Sequence, residues 1–156
     1  IFASILAIVL IFIAILYLFN SFRETLIVLS VIPFSFLGVF FGHYVMGLNL
    51  SLPSLIGALG LSGVIVNDGI IMMATLRTAT QKGDIFTLAS RRFRPIILTS
   101  ITTLVGLSSL MFFPTAQAVA FQPLAVSLGF GLLWGTILNL FYLPVLYNYV
   151  SGEKYA

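Results

Sequence analysis

The chain of 156 residues contains no cysteine and one histidine, His43. The lack of cysteine excludes a disulfide scaffold and a thiolate metal site, and a lone histidine has no second His or Cys with which to form a metal cluster. Charge is also scarce, because Asp, Glu, Lys and Arg make up 7% of the residues. Soluble domains carry roughly 25%. With 60% hydrophobic residues and a mean hydropathy of +1.18, the composition indicates an integral membrane protein.

Motifs for enzymatic chemistry are absent as well. The sequence has no Gly-x-Ser-x-Gly, no nucleotide-binding loop and no His–carboxylate cluster, so an enzyme is the least expected class. We expect membrane lipid as a partner and no nucleic acid. The reason is that the basic residues behind the net charge of +3 are placed along the chain according to the membrane topology. The chain also begins directly in an apolar run without an initiating Met, which predicts a fragment of a longer protein.

Five apolar stretches are each long enough to cross a bilayer, which takes about 20 residues. They predict spans at about 1–19, 25–48, 52–76, 95–113 and 123–150. Between the third and fourth spans, apolar residues recur at helical spacing and predict a short cytoplasmic amphipathic helix at about 84–94, capped by Asp84. A simple basic loop is the alternative. The predicted fold class is all-α, a polytopic membrane bundle of five transmembrane helices plus that short helix.

All basic residues fall in linkers on one side of this arrangement. The two linkers on the other side, around Asn49 and Gln117, contain no Lys or Arg. Positive charge accumulates on the cytoplasmic side of membrane proteins, so the C-terminus is predicted to be cytoplasmic. The basic residues are Arg23, Arg77, Lys82, Arg91, Arg92, Arg94 and Lys154.

Of the four acidic residues, only Asp68 lies inside a predicted span, in the stretch "GLSGVIVNDGIIMMATL" at 60–76. A charged Asp at the centre of a bilayer costs at least about 2.5 kcal/mol, and such residues usually mark ion or proton pathways. Asp68 is therefore a candidate proton carrier, with Asn67 beside it. The alternative is a permanently protonated carboxyl that is hydrogen-bonded inside the bundle.

Small residues predict where helices approach one another. Gly38 and Gly42 form a Gly-x-x-x-Gly packing face in the second span. Gly57, Gly60 and Gly63 are predicted to form a smooth surface on the third span, on the side that carries Asn67. We expect Asn67 and Asp68 to lie on this incompletely covered face, which a helix outside this chain would cover.

The fourth span contributes hydroxyl groups and an arginine. Arg92 and Thr99 are seven residues apart and therefore share a helix face, which could form a polar surround for Asp68. The alternative for the Ser and Thr side chains is hydrogen bonding to carbonyls of their own helix.

Four segments, taken in order, resemble the C-terminal membrane half of resistance-nodulation-division (RND) efflux permeases. The most specific pieces are "VNDGI" in the third span and "RFRPIILTS" opening the fourth. In that family the five spans would be helices eight to twelve of twelve. The segments are "FNSFRETLIVLSVIPFSFLGVFFGHYVMGLNLSL", "GLSGVIVNDGIIMM", "RRFRPIILTSITTLVGL" and "FQPLAVSLGFGLLWGTILNLFYLPVLYNYV".

The resemblance implies a proton/substrate antiporter of the Gram-negative inner membrane, with protons as coupling ion and no other cofactor. It implies a homotrimer with a periplasmic adaptor and an outer-membrane channel, and a missing N-terminal half that supplies carboxylates on helix four. Asp68, Asn67, Arg92 and Thr99 would form the proton relay. Asn67 stands where the drug-efflux branch often has Lys, so this helix carries no cation.

A second function class shares the same helix bundle. Distantly related secretion accessory proteins also use membrane carboxylates, so a module of a protein-translocation accessory or a non-transporting scaffold complex is the alternative.

Overall fold

The computed structural model describes residues 1–81 and 83–153, and all regular secondary structure in this part of the chain is helical, with no strand. The prediction of an all-α bundle is confirmed. Lys82 and Lys154, two of the seven basic residues that predict the membrane orientation, lie outside the described residues. The helices are α1 Phe2–Phe19, α2 Phe22–Met46, α3 Leu52–Leu76, α4 Asp84–Phe112, α5 Gln122–Ile137 and α6 Leu143–Val150, with 3-10 turns at Val119–Phe121 and Ser151–Glu153.

Five segments are long and apolar enough to cross a membrane, namely α1, α2, α3, α4 and the continuous stretch Val119–Val150. A π-helical turn, Leu138–Tyr142, joins α5 to α6 within that last stretch. The central element is α5, which packs against α2, α3 and α4. At the periphery, α1 packs on α2 and buries only Ile15 and Phe19. The bundle therefore covers one side of α3, the helix that carries Asp68.

The predicted amphipathic helix at 84–94 is not a separate element, and its residues form the first turns of α4. Pro95 lies inside this 29-residue helix and removes one backbone hydrogen bond. The helix continues because one stripe of side chains packs on the bundle along its length, with Ile85 and Ala89 buried before Pro95 and Ile96 and Ser100 buried after it. The stripe therefore packs on protein and does not lie along a lipid surface.

Asp84 does not cap α4 as predicted, since Gly83 occupies the N-cap position. The Asp84 carboxylate instead accepts hydrogen bonds from Thr80 Oγ1 at 3.0 Å and from the Gln81 backbone nitrogen at 3.3 Å. It closes the turn that precedes the helix, because its carboxylate is directed back toward residues 80 and 81.

The described arginines gather at one end of the bundle. Arg77 at the end of α3 forms an ion pair with Glu24 in the first turn of α2, with 3.0 Å between Nε and Oε2. The Arg77 guanidinium also lies 5.3 Å from the ring centre of Phe19, at the end of α1. A cleft of about 400 Å³ beside them is lined by Arg23, Glu24, Tyr147 and other residues, so the end of α6 lies there as well.

The opposite end contains a buried histidine. His43, 4% exposed, donates from Nδ1 to the Val39 carbonyl oxygen at 3.0 Å. Because a carbonyl can only accept, Nδ1 carries the hydrogen in this pair, and in that tautomer Nε2 accepts from Ser54 Oγ at 2.7 Å. Ser54 Oγ also accepts from the Ser51 backbone nitrogen at 3.2 Å, which links α2 to the first turn of α3.

The Ser54→Ala variant is expected to lower the free energy of unfolding by about 1–3 kcal/mol, because His43 Nε2 and the Ser51 N–H lose their shared partner. Thermal unfolding of the full-length protein in detergent measures the effect. Ser90→Ala is the matched control, since among the described residues the exposed Ser90 hydroxyl donates only to the Thr87 carbonyl of its own helix. Equal unfolding temperatures for the two variants would contradict the prediction.

Candidate functional site

The site is built on α3, where Asn67 and Asp68 are adjacent and point in different directions. Successive residues on a helix are rotated by about 100°. Asp68 faces the bundle and is 5% exposed, whereas Asn67 is exposed. The prediction that both lie on an incompletely covered face is therefore confirmed for Asn67 and wrong for Asp68.

The Asp68 carboxyl lies in surroundings with few polar groups. Its Oδ2 atom is buried and has no hydrogen-bond partner among the described residues. The next residue, Gly69, lies where α2, the π turn and α6 converge, close to Val28, Asn139 and Leu143. Negative charge on Asp68 must therefore be balanced by a proton or by a group outside the described residues.

Arg92 contacts α3, but at a different position along the helix axis from Asp68. Its Nε donates to Thr75 Oγ1 at 2.7 Å, and Thr75 Oγ1 donates to the Ile71 carbonyl at 3.0 Å. Thr75 is seven residues beyond Asp68, which is about 10 Å along the helix axis. The structure therefore brings Arg92 to the end of α3 and not to Asp68.

Thr99 is exposed, and its hydroxyl donates to the Pro95 carbonyl of its own helix at 2.9 Å. Thr102 and Thr103 do the same with Leu98 and Thr99. The alternative interpretation of these three hydroxyls is thus confirmed. Ser100 differs, since it shares a 2.6 Å hydrogen bond with Thr136 of α5 and joins the two helices.

Asn139 is a buried polar residue that the sequence patterns do not identify as part of the site. It lies in the π turn, is fully buried, and donates from Nδ2 to the Ile65 carbonyl of α3 at 3.1 Å. Its Oδ1 has no partner among the described residues. The available signal was one amide in the otherwise apolar run 137–147 that also contains Pro144.

Pro144 accounts for the π turn beside Asn139. Proline has no N–H to give to the carbonyl four residues earlier, Leu140, and its ring crowds that turn. The chain widens to π geometry over Leu138–Tyr142, immediately before α6. The widened turn carries the Asn139 side chain toward α3.

The glycines fall into two groups. Gly38 and Gly42 pack closely on α5, because a Cβ at either position would lie 2.5–2.7 Å from atoms of Phe130 or Trp134. Gly57 packs on α5 in the same way, with Leu124 O at 2.5 Å, so it does not share the open surface predicted for it.

Gly60 and Gly63 are exposed, as predicted. Apart from its chain neighbours and the backbone of its own helix, a Cβ at Gly60 would meet only Leu128 at 3.5 Å among the described residues. One at Gly63 would meet no described atom within 4 Å beyond the same exceptions. Gly63 lies six residues after Gly57 and is therefore rotated by about 120° around the helix axis. The two glycines thus lie on different faces of α3.

Comparisons with known proteins agree on one family. A sequence model described as the AcrB/AcrD/AcrF family matches residues 1–151. The chain is 29% identical to the cobalt-zinc-cadmium resistance protein CzcA of Cupriavidus metallidurans, over 91% of this chain and 14% of that protein. It is 31% identical to the multidrug resistance protein MdtC of Proteus mirabilis, over 95% of this chain and 15% of that protein.

Comparison with solved structures supports the same family assignment for the fold. The crystal structure of a heavy metal efflux pump, crystal form II, superposes with a TM-score of 0.88 at 29% identity, covering 96% of this chain and 16% of the pump. The chain thus spans about one seventh of the length of these relatives.

Proposed function

Because the chain belongs to the AcrB/AcrD/AcrF family of RND efflux permeases, we propose that it forms part of the membrane domain of a proton-driven efflux transporter. This transporter exchanges protons for an exported substrate, and Asp68 is a relay group. One observation carries the proposal. The Asp68 carboxyl is buried within a 25-residue span and has an oxygen with no partner among the described residues. A carboxyl in such surroundings can bind and release a proton without breaking a structural ion pair.

Asn67 and Thr99, two further residues of the proposed relay, lie where this chain leaves the bundle uncovered. Asn67 and Thr99 are exposed within spans, where polar side chains are expected to face protein or water in preference to lipid. We assign their partners to the N-terminal half of the same permease, with its helix-four carboxylates opposite Asn67. Arg92 holds the start of α4 to α3 through Thr75, on the cytoplasmic side of the relay.

The proposed location is the inner membrane of a Gram-negative bacterium, with the arginine-bearing end and the C-terminus in the cytoplasm. The grouping of Arg23, Arg77 and Arg92 at one end supports this orientation. The full-length transporter is proposed to be a homotrimer, the usual assembly of the RND permeases that the chain resembles, and to work with a periplasmic adaptor and an outer-membrane channel.

Proton coupling is tested with the full-length transporter in vesicles that carry an imposed pH gradient. The probes are Zn²⁺ and a lipophilic cationic dye, because the relatives are named for metal and multidrug resistance. At least one probe is expected to move only while the gradient is present and to stop when a protonophore collapses it. Transport that continues unchanged after collapse would contradict the proposal. Movement of neither probe by folded protein would favour the protein-translocation alternative.

A further inference from the structure

We infer that Asn139 is a positioning residue for Asp68, an inference that rests on the proposed relay role of Asp68. The Asn139 amide donates to the Ile65 carbonyl oxygen at 3.1 Å. In an α-helix this carbonyl is also the acceptor for the N–H of Gly69, four residues later. The hydrogen bond therefore ties the π turn to the helical turn of α3 that contains Asp68.

Close packing at Gly69 restrains the same turn from a second direction. A Cβ at Gly69 would lie 3.2 Å from Val28 Cγ1 and 3.4 Å from Asn139 Oδ1. The α3 backbone is thus in contact with both α2 and the π turn at this level. Rotation of α3 about its axis would break the amide contact or drive Gly69 into Val28, so the direction of the neighbouring Asp68 side chain is held.

The π turn explains why an asparagine in the fifth span can reach this point. Its wider turn, immediately before Pro144, carries Asn139 to the α3 backbone. Such single π turns occur frequently at functional sites. Within the described residues Asn139 and Asp68 share no hydrogen bond, so Asn139 acts on the carboxyl through the α3 backbone.

The unpaired oxygens indicate that the arrangement serves more than stability. Asn139 Oδ1 and Asp68 Oδ2 are both buried acceptors without a donor in the described chain, and a buried acceptor normally has one. An apolar side chain at position 139 would bury no unpaired oxygen, so close packing of α3 on the fifth span does not by itself call for an amide there. The amide is expected at this position because it sets where, and therefore at what pH, the Asp68 carboxyl takes up its proton.

The test measures protonation of Asp68 directly in the full-length transporter. A hydrophobic carbodiimide reacts with protonated buried carboxyls, and mass spectrometry of the peptide that contains Asp68 gives the extent of labelling at each pH. In Asn139→Ala, the midpoint pH of labelling is expected to move by about half a unit or more, with a matching move in the pH profile of transport. Thr136→Val is the matched control, because it removes a buried interhelical hydrogen bond of the same span, between Thr136 and Ser100 of α4, and leaves the Asn139 bond to Ile65 of α3 in place.

The outcomes separate this inference from the function on which it rests. Full export by Asp68→Asn would overturn the relay itself. Loss of export in Asp68→Asn, together with an unmoved midpoint in Asn139→Ala, would overturn only the role of Asn139. If the Asn139→Ala protein does not accumulate, the midpoint pH of labelling is measured in Gly69→Ala instead. The added methyl group of that variant disturbs the same contact between Gly69 and Asn139. If neither variant accumulates while Thr136→Val does, Asn139 is structural and the inference fails.

Discussion

Asp68→Asn in the full-length transporter is expected to reduce proton-driven export at least about 100-fold while the protein accumulates normally. Asparagine matches the shape of aspartate but cannot bind and release a proton, and proton transfer by a positioned group is commonly worth about 100-fold or more. Accumulation is expected to be unchanged because the buried Oδ2 makes no hydrogen bond within the described residues. Export from vesicles at a fixed pH gradient, with the amount of protein quantified, measures the loss.

Asp84→Asn is the matched control for this change. Asp84 undergoes the same substitution at a carboxylate that only closes a turn before α4, so export is expected to stay within about twofold of the unmodified transporter. Normal export by Asp68→Asn would remove Asp68 from the relay. An equal loss in both variants would show that the effect is not specific to the intramembrane carboxyl.

The helices of this protein could be predicted from apolar run length, because each span must satisfy its own backbone hydrogen bonds in lipid. The prediction is wrong at Pro95, because the fourth span does not begin there and α4 runs from Asp84 to Phe112. Proline weakens a helix locally, but tertiary packing decides whether the helix continues. Burial of Ile85 before Pro95 and of Ile96 after it depends on contacts with the rest of the bundle, and the local sequence does not contain them.

The candidate site was predictable to a different extent for each residue. Asp68 is identifiable from sequence because a carboxylate within an apolar span is rare. The direction of the Asp68 side chain is not identifiable from sequence. The local pattern separates Asp68 from Asn67 by about 100° around the helix axis but does not show which of the two residues faces the bundle. The partner of Arg92 is Thr75, 17 residues away in sequence, and Asn139 meets Ile65 across 74 residues. Such contacts depend on how separate helices pack, which periodicity does not report.

Gly38→Leu is expected to abolish folding of the bundle, with a loss of more than about 3 kcal/mol. A Cβ at Gly38 would lie 2.6 Å from Trp134 Cβ, 2.7 Å from the Phe130 carbonyl oxygen and 3.2 Å from the Gly131 Cα. Two of these atoms belong to the α5 backbone, so no change of side-chain rotamer relieves the overlap. Because α2 and α5 form the central contact of the bundle, we expect no folded protein by size-exclusion chromatography of the membrane extract.

Gly63→Leu is the matched substitution on the open face and tests what covers that face. Apart from its chain neighbours and the backbone of its own helix, no described atom lies within 4 Å of a Cβ at Gly63. The 156-residue chain inserted alone is therefore expected to accept leucine, whose side chain is compatible with lipid. In the full-length transporter the same leucine is expected to reduce export and accumulation, because Gly63 lies on the exposed face with Asn67, where the N-terminal half is proposed to pack closely. If full-length Gly63→Leu behaved like the unmodified transporter, this face would contact lipid, and the partner of Asn67 would have to lie elsewhere.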